Sequence, residues 1–170
     1  RCEDQAGINI TERGVNGLIA AESRAEYLPV QYVYPVTETS RSVVGFDTAS
    51  DRDRYAASSA ARDLGALSLS PPVPSQPSGQ TSVYFAQPLF KPGLALGTVE
   101  QRRAAIVGFA TGLRPASAIL ESVMAQLPDG ARVRVTDGEQ FVAGTAEAPS
   151  GGHSSTISVG GRTWVVLKAA

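Results

Sequence analysis

The cleanest apolar run of this chain, Ala104-Ala-Ile-Val-Gly-Phe-Ala-Thr-Gly-Leu113, lies between two arginines, Arg103 and Arg114. A helix that spans a bilayer needs roughly 18 to 20 apolar residues. This run falls far short of that and reads as a buried strand. No other stretch comes closer, so the chain is expected to fold from short elements around an interior. With 170 residues, 42% of them hydrophobic, it has material for one domain or for two small lobes sharing a continuous core. Wholesale disorder is not expected.

Charge and rare residues remove many familiar chemistries. Fifteen Lys+Arg stand against sixteen Asp+Glu, a formal net charge of −1. That balance gives no electrostatic motive for binding nucleic acid or an anionic membrane surface. A single Cys excludes a disulfide framework, and a single His excludes a multi-histidine metal site. There is no phosphate loop and no dinucleotide fingerprint, so no cofactor is expected. The sequence opens at Arg1 without Met or a charged-then-apolar leader, and is read as an excised or processed piece.

The order of elements points to an α+β fold with antiparallel sheets. Tyr27–Tyr34 is rich in aromatic and β-branched residues and is predicted to be a strand, with Pro29 placing it at an edge or an entrance. Ser50 or Asp51 can cap a helix over 52–64, which Gly65 ends. Its apolar stripe is Ala56, Ala57, Ala60, Ala61 and Leu64. Strands are predicted at 66–70 and 81–87, the second closed by Pro88, with 71–80 as a surface loop between them. A short helix near Thr98, the strand 104–113 and a helix over 116–127 follow, with Pro115 in that helix's first turn. After a turn at Asp129-Gly130, strands are expected at 132–136, 140–143, 154–159 and 162–167.

Little in these residues supports catalysis. His153 sits in a Gly-rich turn beside Ser154 and Ser155, but no Gly-x-Ser-x-Gly elbow accompanies it. Asp51 and Asp53 are two apart at a helix start, so they do not face each other. A ligand pocket has more support. Tyr32 and Tyr34 would share one face of a strand, Tyr84 and Phe85 add aromatic bulk, and Ser70 and Gln87 would sit at strand ends. The competing reading is that these tyrosines simply pack a core.

The middle of the chain also resembles a known family. Tyr27-Leu-Pro-Val-Gln-Tyr-Val-Tyr-Pro35 is followed by Gly45-Phe-Asp47 with Ser50, Arg54-x-Ala56 and Ala61-Arg-Asp-x-Gly65. Then come Ser68-Leu-Ser-Pro71, Pro88-Leu-Phe90 and Arg103-x4-Gly108-Phe109, with Gly161-Arg-Thr-Trp164 as a closing strand. This succession resembles the CHASE domain, the extracellular sensory domain of membrane histidine kinases and cyclases. The resemblance implies two PAS-like lobes: a membrane-distal ligand-binding lobe at 1–113, then a connecting helix and membrane-proximal lobe at 114–170. It also implies an N-terminal stalk helix, absent from this sequence, and a homodimeric receptor held in the membrane by segments outside this chain.

In the plant cytokinin receptors of that family the distal lobe binds an adenine-type hormone. A threonine of that pocket corresponds to Ser70, which keeps the hydroxyl. The receptors' adenine-binding Asp has no counterpart here, since the alignment gives Pro35 from one side and Glu38 from the other. Many bacterial members carry Glu-Pro where Tyr34-Pro35 stands, and Asn where Ser40 stands. These departures point to a small molecule other than a cytokinin. The expectation is thus a non-catalytic sensor, extracellular or periplasmic, without metal or cofactor. Its ligand wall is expected to comprise Tyr32, Tyr34, Ser70, Tyr84 and Gln87, with Glu38 as polar anchor and Gly108 giving room for close approach. A structural or protein-interaction domain without a ligand is the rival expectation, and a hydrolase using His153 the remoter one.

Overall fold

The computed structural model describes residues 8–74, 81–128 and 130–169. The chain divides into two compact units, Arg1–Tyr55 and Ala56–Ala170. It is an α+β protein whose sheets are antiparallel and whose helices are few.

The first unit carries a hairpin of β1 (Thr11–Gly14) and β2 (Gly17–Ala20), and a single turn of helix, α1 (Glu38–Arg41). Thr37 and Ser40 form a reciprocal capping box that lets so short a helix stand. A 3-10 turn follows at Thr48–Ser50.

The predicted strand Tyr27–Tyr34 is not formed. Only Pro29 makes a bridge, to Asp47, and Val30 exchanges two backbone hydrogen bonds with Gly45 and Phe46. Proline lacks the N–H a ladder needs, and in the antiparallel register set by Pro29 and Asp47 the residues that would face 31–34 lie in the turn 42–45 that follows α1, so pairing stops there. Tyr32 and Tyr34 consequently stand 91% and 94% exposed.

α2 (Arg52–Leu64) has the predicted bounds. Asp51 is the residue that caps it, its Oδ1 accepting from the N–H groups of Asp53 and Arg54. Gly65 ends it at φ +70°, and the Ala66 N–H reaches back to the Ala61 carbonyl. The buried stripe differs from the predicted one: Ala57, Ser58 and Ala61 face inward, while Ala56 and Leu64 are exposed. A serine is tolerated inside because its hydroxyl meets the Tyr84 hydroxyl at 3.1 Å.

The second unit has two sheets. In one, the long strand β5 (Thr81–Phe90) is flanked on one side by β3 (Ser68–Leu69) and β4 (Val73–Pro74), and on the other by β6 (Ile106–Pro115). The loop expected over 71–80 therefore contains a short strand, and its residues 75–80 lie outside the described ones. β5 runs through Pro88 instead of ending there. Beyond Ala86 its β3 side has no partner among the described residues, so a residue without an N–H fits. α3 (Val99–Ala105) feeds directly into β6.

β6 is not the buried strand expected of 104–113. It pairs only with β5 among the described residues, and Val107 and Leu113 are 67% and 41% exposed. Gly108, Ala110 and Gly112 offer little side chain to bury, which suits an edge. Pro115 closes β6 and serves as N-cap of α4 (Ala116–Met124) rather than sitting within its first turn.

The other sheet has the order β8-β7-β10-β9, from β7 (Arg132–Asp137), β8 (Gln140–Gly144), β9 (His153–Val159) and β10 (Arg162–Ala169). Of the expected Asp129-Gly130 turn, Asp129 lies outside the described residues. The main core is built here from Val133, Val135, Val142, Ala143 and Trp164, with Ala116, Leu120 and Met124 of α4 and Val83 of β5 packed against them. A bulge opposite Val135 and Thr136 lets the consecutive residues Val142 and Ala143 both turn inward. The Leu69 N–H donates to the Gly160 carbonyl at 2.9 Å and ties β3 to the β9–β10 turn.

Gly144 ends the bulged strand at φ +102°, where a Cβ would strike the Val133 carbonyl. Gly144→Ala is expected to lose about 1–2 kcal/mol from the left-handed backbone alone, with more from the clash. Denaturant titration should show a lower midpoint with an unchanged slope. An unaltered midpoint would contradict this account of the bulge.

Candidate functional site

Alternation along β5 decides which side chains can meet. Ser82, Tyr84, Ala86 and Pro88 point to the face covered by α2, and all four are buried. Val83, Phe85, Gln87 and Leu89 point to the other, and Val83 there joins the main core. Cross-strand register puts Phe109, Thr111 and Leu113 of β6 on the α2 face, and Ser68 and Ser70 with them.

On that face Ala57 and Ala61 of α2 pack against Tyr84 and Ala86, with Phe109 beside them. Polar groups are threaded through this packing. The Ser70 hydroxyl accepts from the Tyr84 N–H at 3.1 Å and donates to the Pro71 carbonyl at 2.7 Å. The Ser58 and Tyr84 hydroxyls share one hydrogen bond in which either can donate. Further along β6, Thr111 and Leu113 of the same face are exposed. The result is a half-covered sheet face, small and hydroxyl-lined under the helix and apolar at its open side.

The C-terminal turn of α2 is held by charge. Arg103 grips Asp63 with two prongs, Nε to Oδ1 at 2.9 Å and Nη2 to Oδ2 at 2.6 Å. Arg62 adds a bond from its Nε at 2.9 Å. These contacts, Arg103 foremost, hold the Asp63 carboxyl well below the usual carboxylate range, outweighing the cost of its partial desolvation. Arg102 donates from Nε to the Asp63 carbonyl at 2.8 Å and from Nη1 to the Leu96 carbonyl at 2.6 Å.

In the first unit the organising group is Asp47, whose side chain is fully buried. Its Oδ1 accepts from the N–H groups of Leu28 and Ala49 at 2.7 and 3.0 Å, and its Oδ2 from Arg24 Nη1 at 2.9 Å. Arg24 also pairs with Glu12 of β1, and the Asp47 N–H donates to the Thr11 carbonyl. One carboxylate thereby joins the hairpin, the segment around Leu28 and the 3-10 turn. An open cleft of about 1090 Å³ lies in this unit, lined among others by Ile8, Ile10, Leu18, Ile19, Arg24 and Tyr27.

The residues expected to form one wall are distributed differently. Tyr32, Tyr34 and Glu38 are exposed residues of the first unit, outside the lining of its cleft, and Glu38 opens α1. Ser70 and Tyr84 are brought together on the α2 face of the second unit. Gln87, mid-strand rather than at a strand end, and Gly108, opposite Leu89, belong to the reverse face. Phe85 likewise turns away from Tyr84, its ring lying over Gly112. Ser58, Thr111 and Leu113 were not foreseen. Ser58 lay inside the alanine stripe, and the β6 residues were masked by reading their strand as buried. His153 opens β9 opposite Lys168 and is exposed; Ser155 shares its side of the strand and Ser154 does not. Among the described residues no group of three or more His, Cys, Asp or Glu is placed to hold a metal ion.

The antiparallel α+β architecture has one sheet face partly covered by a helix. The CHASE domain profile matches residues 1–149, and the chain belongs to the CHASE domain family. Members of this family are sensory domains in the extracellular part of membrane receptors, and are generally non-catalytic. No curated protein matches the sequence. Among the described residues no helix is long and apolar enough to cross a membrane.

Two outcomes follow from the charged groups. Asp47→Ala strands Arg24 and two backbone N–H groups, and should cost about 3–5 kcal/mol in urea unfolding; a loss below about 1 kcal/mol would mean that the carboxylate is not the organising group. For Asp63 the folded-state pKa lies below the unfolded one, so its contribution is full at neutral pH, starts to fall as pH drops below about 4 and is lost only as pH passes through the folded-state pKa. The stability gap between wild type and Asp63→Asn should accordingly be widest at pH 7, begin to narrow below about pH 4 and still be partly open at pH 3, closing only below the folded-state pKa. A gap that does not change with pH would refute the ion pair's role.

Proposed function

We propose that this chain is the extracellular or periplasmic small-molecule-sensing part of a transmembrane signalling receptor, a histidine kinase or a nucleotide cyclase, and that it does no chemistry on its ligand. The ligand lies on the α2 face of the β5–β6 sheet, with the two sheets of the second unit as PAS-like distal and proximal lobes. The lobe boundary is at 113/114, near the end of β6, with α4 as the connecting helix. The receptor acts as a homodimer anchored by membrane segments outside this chain. Ligand binding shifts the balance between two arrangements by its differential affinity for them.

The observation that carries this reading is the contrast between the two faces of β5. One face joins a dense core of valines and tryptophan. The other meets α2 through alanines and paired hydroxyls and continues into the exposed Thr111 and Leu113. Apolar surface with a few convergent hydroxyls is how small-molecule sites are lined. The Ser58–Tyr84 pair can present either a donor or an acceptor to a ligand. An adenine-type molecule is one option. The absence of an Asp at the position where the plant receptors bind adenine favours another small polar compound.

A second reading, a structural or protein-interaction domain with no ligand, is favoured by one observation. Tyr84 is itself buried and fills the centre of the face with the chain's own atoms.

A thermal-shift screen against adenine derivatives, amino acids, short organic acids and sugars separates the two. A ligand at about a hundred times its Kd stabilises by roughly 2.7 kcal/mol. The hit is expected to vanish in Leu113→Arg, a change at a partly exposed position that leaves folding intact, and to weaken in Tyr84→Phe. Ser70 is not a usable probe, because at 1% exposure a larger side chain there would disrupt the packing. A hit indifferent to Leu113→Arg would reject the α2 face as the site.

A further inference from the structure

The outermost strand of a sheet presents unpaired N–H and C=O groups along one side, and folds ordinarily blunt such an edge. Among the described residues of the second unit the other edges are blunted. β3 and β4 are two residues each, β8 is bulged against β7, and β6 carries Gly108, Gly112 and a register shift near its start. β9 has no such device. All seven of its residues pair with β10 in one unbroken register, and it has no other partner among the described residues. It contains no proline and no Lys, Arg, Asp or Glu. His153 to Ser158 are exposed, Ile157 to 46%.

The segment is also symmetric about its centre. Gly151-Gly152 precede the strand and Gly160-Gly161 follow it, with Thr156 midway. A second copy laid antiparallel on this edge, with a two-fold axis at Thr156, finds its own pattern. Gly152 meets Gly160, Ser154 meets Ser158 and Thr156 meets Thr156. No like charges come opposite one another, and the glycines keep the ends of the seam free of side chains. Ile157 falls opposite Ser155, so the two Ile157 side chains become diagonal neighbours across the seam and cover each other. A peptide of unrelated sequence lacks this self-match.

We propose that β9 is a homodimerisation edge: two copies of this chain pair antiparallel through His153–Val159, joining their β8-β7-β10-β9 sheets into one across an axis at Thr156. This rests on the reading of the receptor as a homodimer and names the surface that joins it. A seam of seven residues a side is far short of the roughly 20–30 of a standard interface, so the contact is weak in free solution. It suits copies held in one membrane, where tethering gives effective concentrations on the order of 1 mM.

Thiol cross-linking of the whole chain at about 1 mM tests this. The background is Cys2→Ser, in which each engineered cysteine is the only thiol. Thr156→Cys faces itself across the axis and should react with a short bismaleimide about tenfold faster than Ser154→Cys or Ser158→Cys alone. Those two lie on the same face of the same exposed strand, but each is offset from its own counterpart by four residues. Mixing Ser154→Cys with Ser158→Cys chains should restore the fast rate. Equal rates at 154, 156 and 158, separate and mixed alike, mean chance collision and overturn the proposal. A fast rate at 154 or 158 alone does the same. Sedimentation of the wild-type chain at that concentration separates this failure from that of the homodimer reading. A dimer without fast cross-linking at 156 keeps the homodimer and rejects the β9 edge. A monomer rejects the edge and leaves only a dimer joined by segments outside this chain.

Discussion

Strand β5 is interior on both faces around Val83 and Tyr84, and much of the second unit follows from that demand. Its odd residues supply Val83 to the valine and tryptophan core, while Ser82, Tyr84 and Ala86 lie under α2. A strand buried on both sides must be paired along its edges as well, and β3, β4 and β6 provide this. The partners are unequal. β6 accompanies it for nearly its whole length, whereas β3 and β4 contribute two residues each. One consequence is that Pro88 can sit inside the strand, where the short partners have already ended.

The two faces solve different problems. Val133, Val135, Val142 and Trp164 interlock with one side of α4 at Ala116, Leu120 and Met124, a spacing of four that keeps them in line. Large branched and aromatic side chains give that region its stability. The α2 face has given up such bulk for alanine and serine, and each inward hydroxyl must find a partner because an unpaired one would be costly. A valine and tryptophan core and a hydroxyl-threaded alanine face are thereby separated across the thickness of a single strand.

The residues that carry the family resemblance serve mainly as scaffold. Gly45 and Phe46 lead into Asp47, which ties three segments together. Asp63 of the Ala61-Arg-Asp-x-Gly65 motif meets Arg103 of the other motif, and Gly65 both ends α2 and clears a path for Arg102. Their ordered recurrence in sequence has a physical meaning, since each is one half of a long-range contact. It also explains why the family could be read from them while the ligand could not. Side chains facing the open part of the sheet, such as Thr111 and Leu113, belong to none of these contacts.

Local chemistry was legible wherever a decision is made within a few residues. α2 from 52 to 64, the stop at Gly65 and the four closing strands with their glycine turns follow from capping atoms, backbone freedom at glycine and strict alternation. Tyr27–Tyr34 has the composition of a strand and did not become one, because a strand is a relation to a partner and the segment that would face 31–34 is the turn 42–45. The run 104–113 has the composition of a buried strand and lies at an edge, because burial depends on what covers it. Tyr84 and Gln87 look equally fit to line a pocket until the pleat sends them to opposite faces. Sequence alone determined α2 and its ends, the four closing strands and the family, since those are set by propensity and short-range hydrogen bonding. Which face each side chain occupies, and what lies over that face, was decided only by the tertiary structure, because both depend on register and packing between residues far apart in the chain.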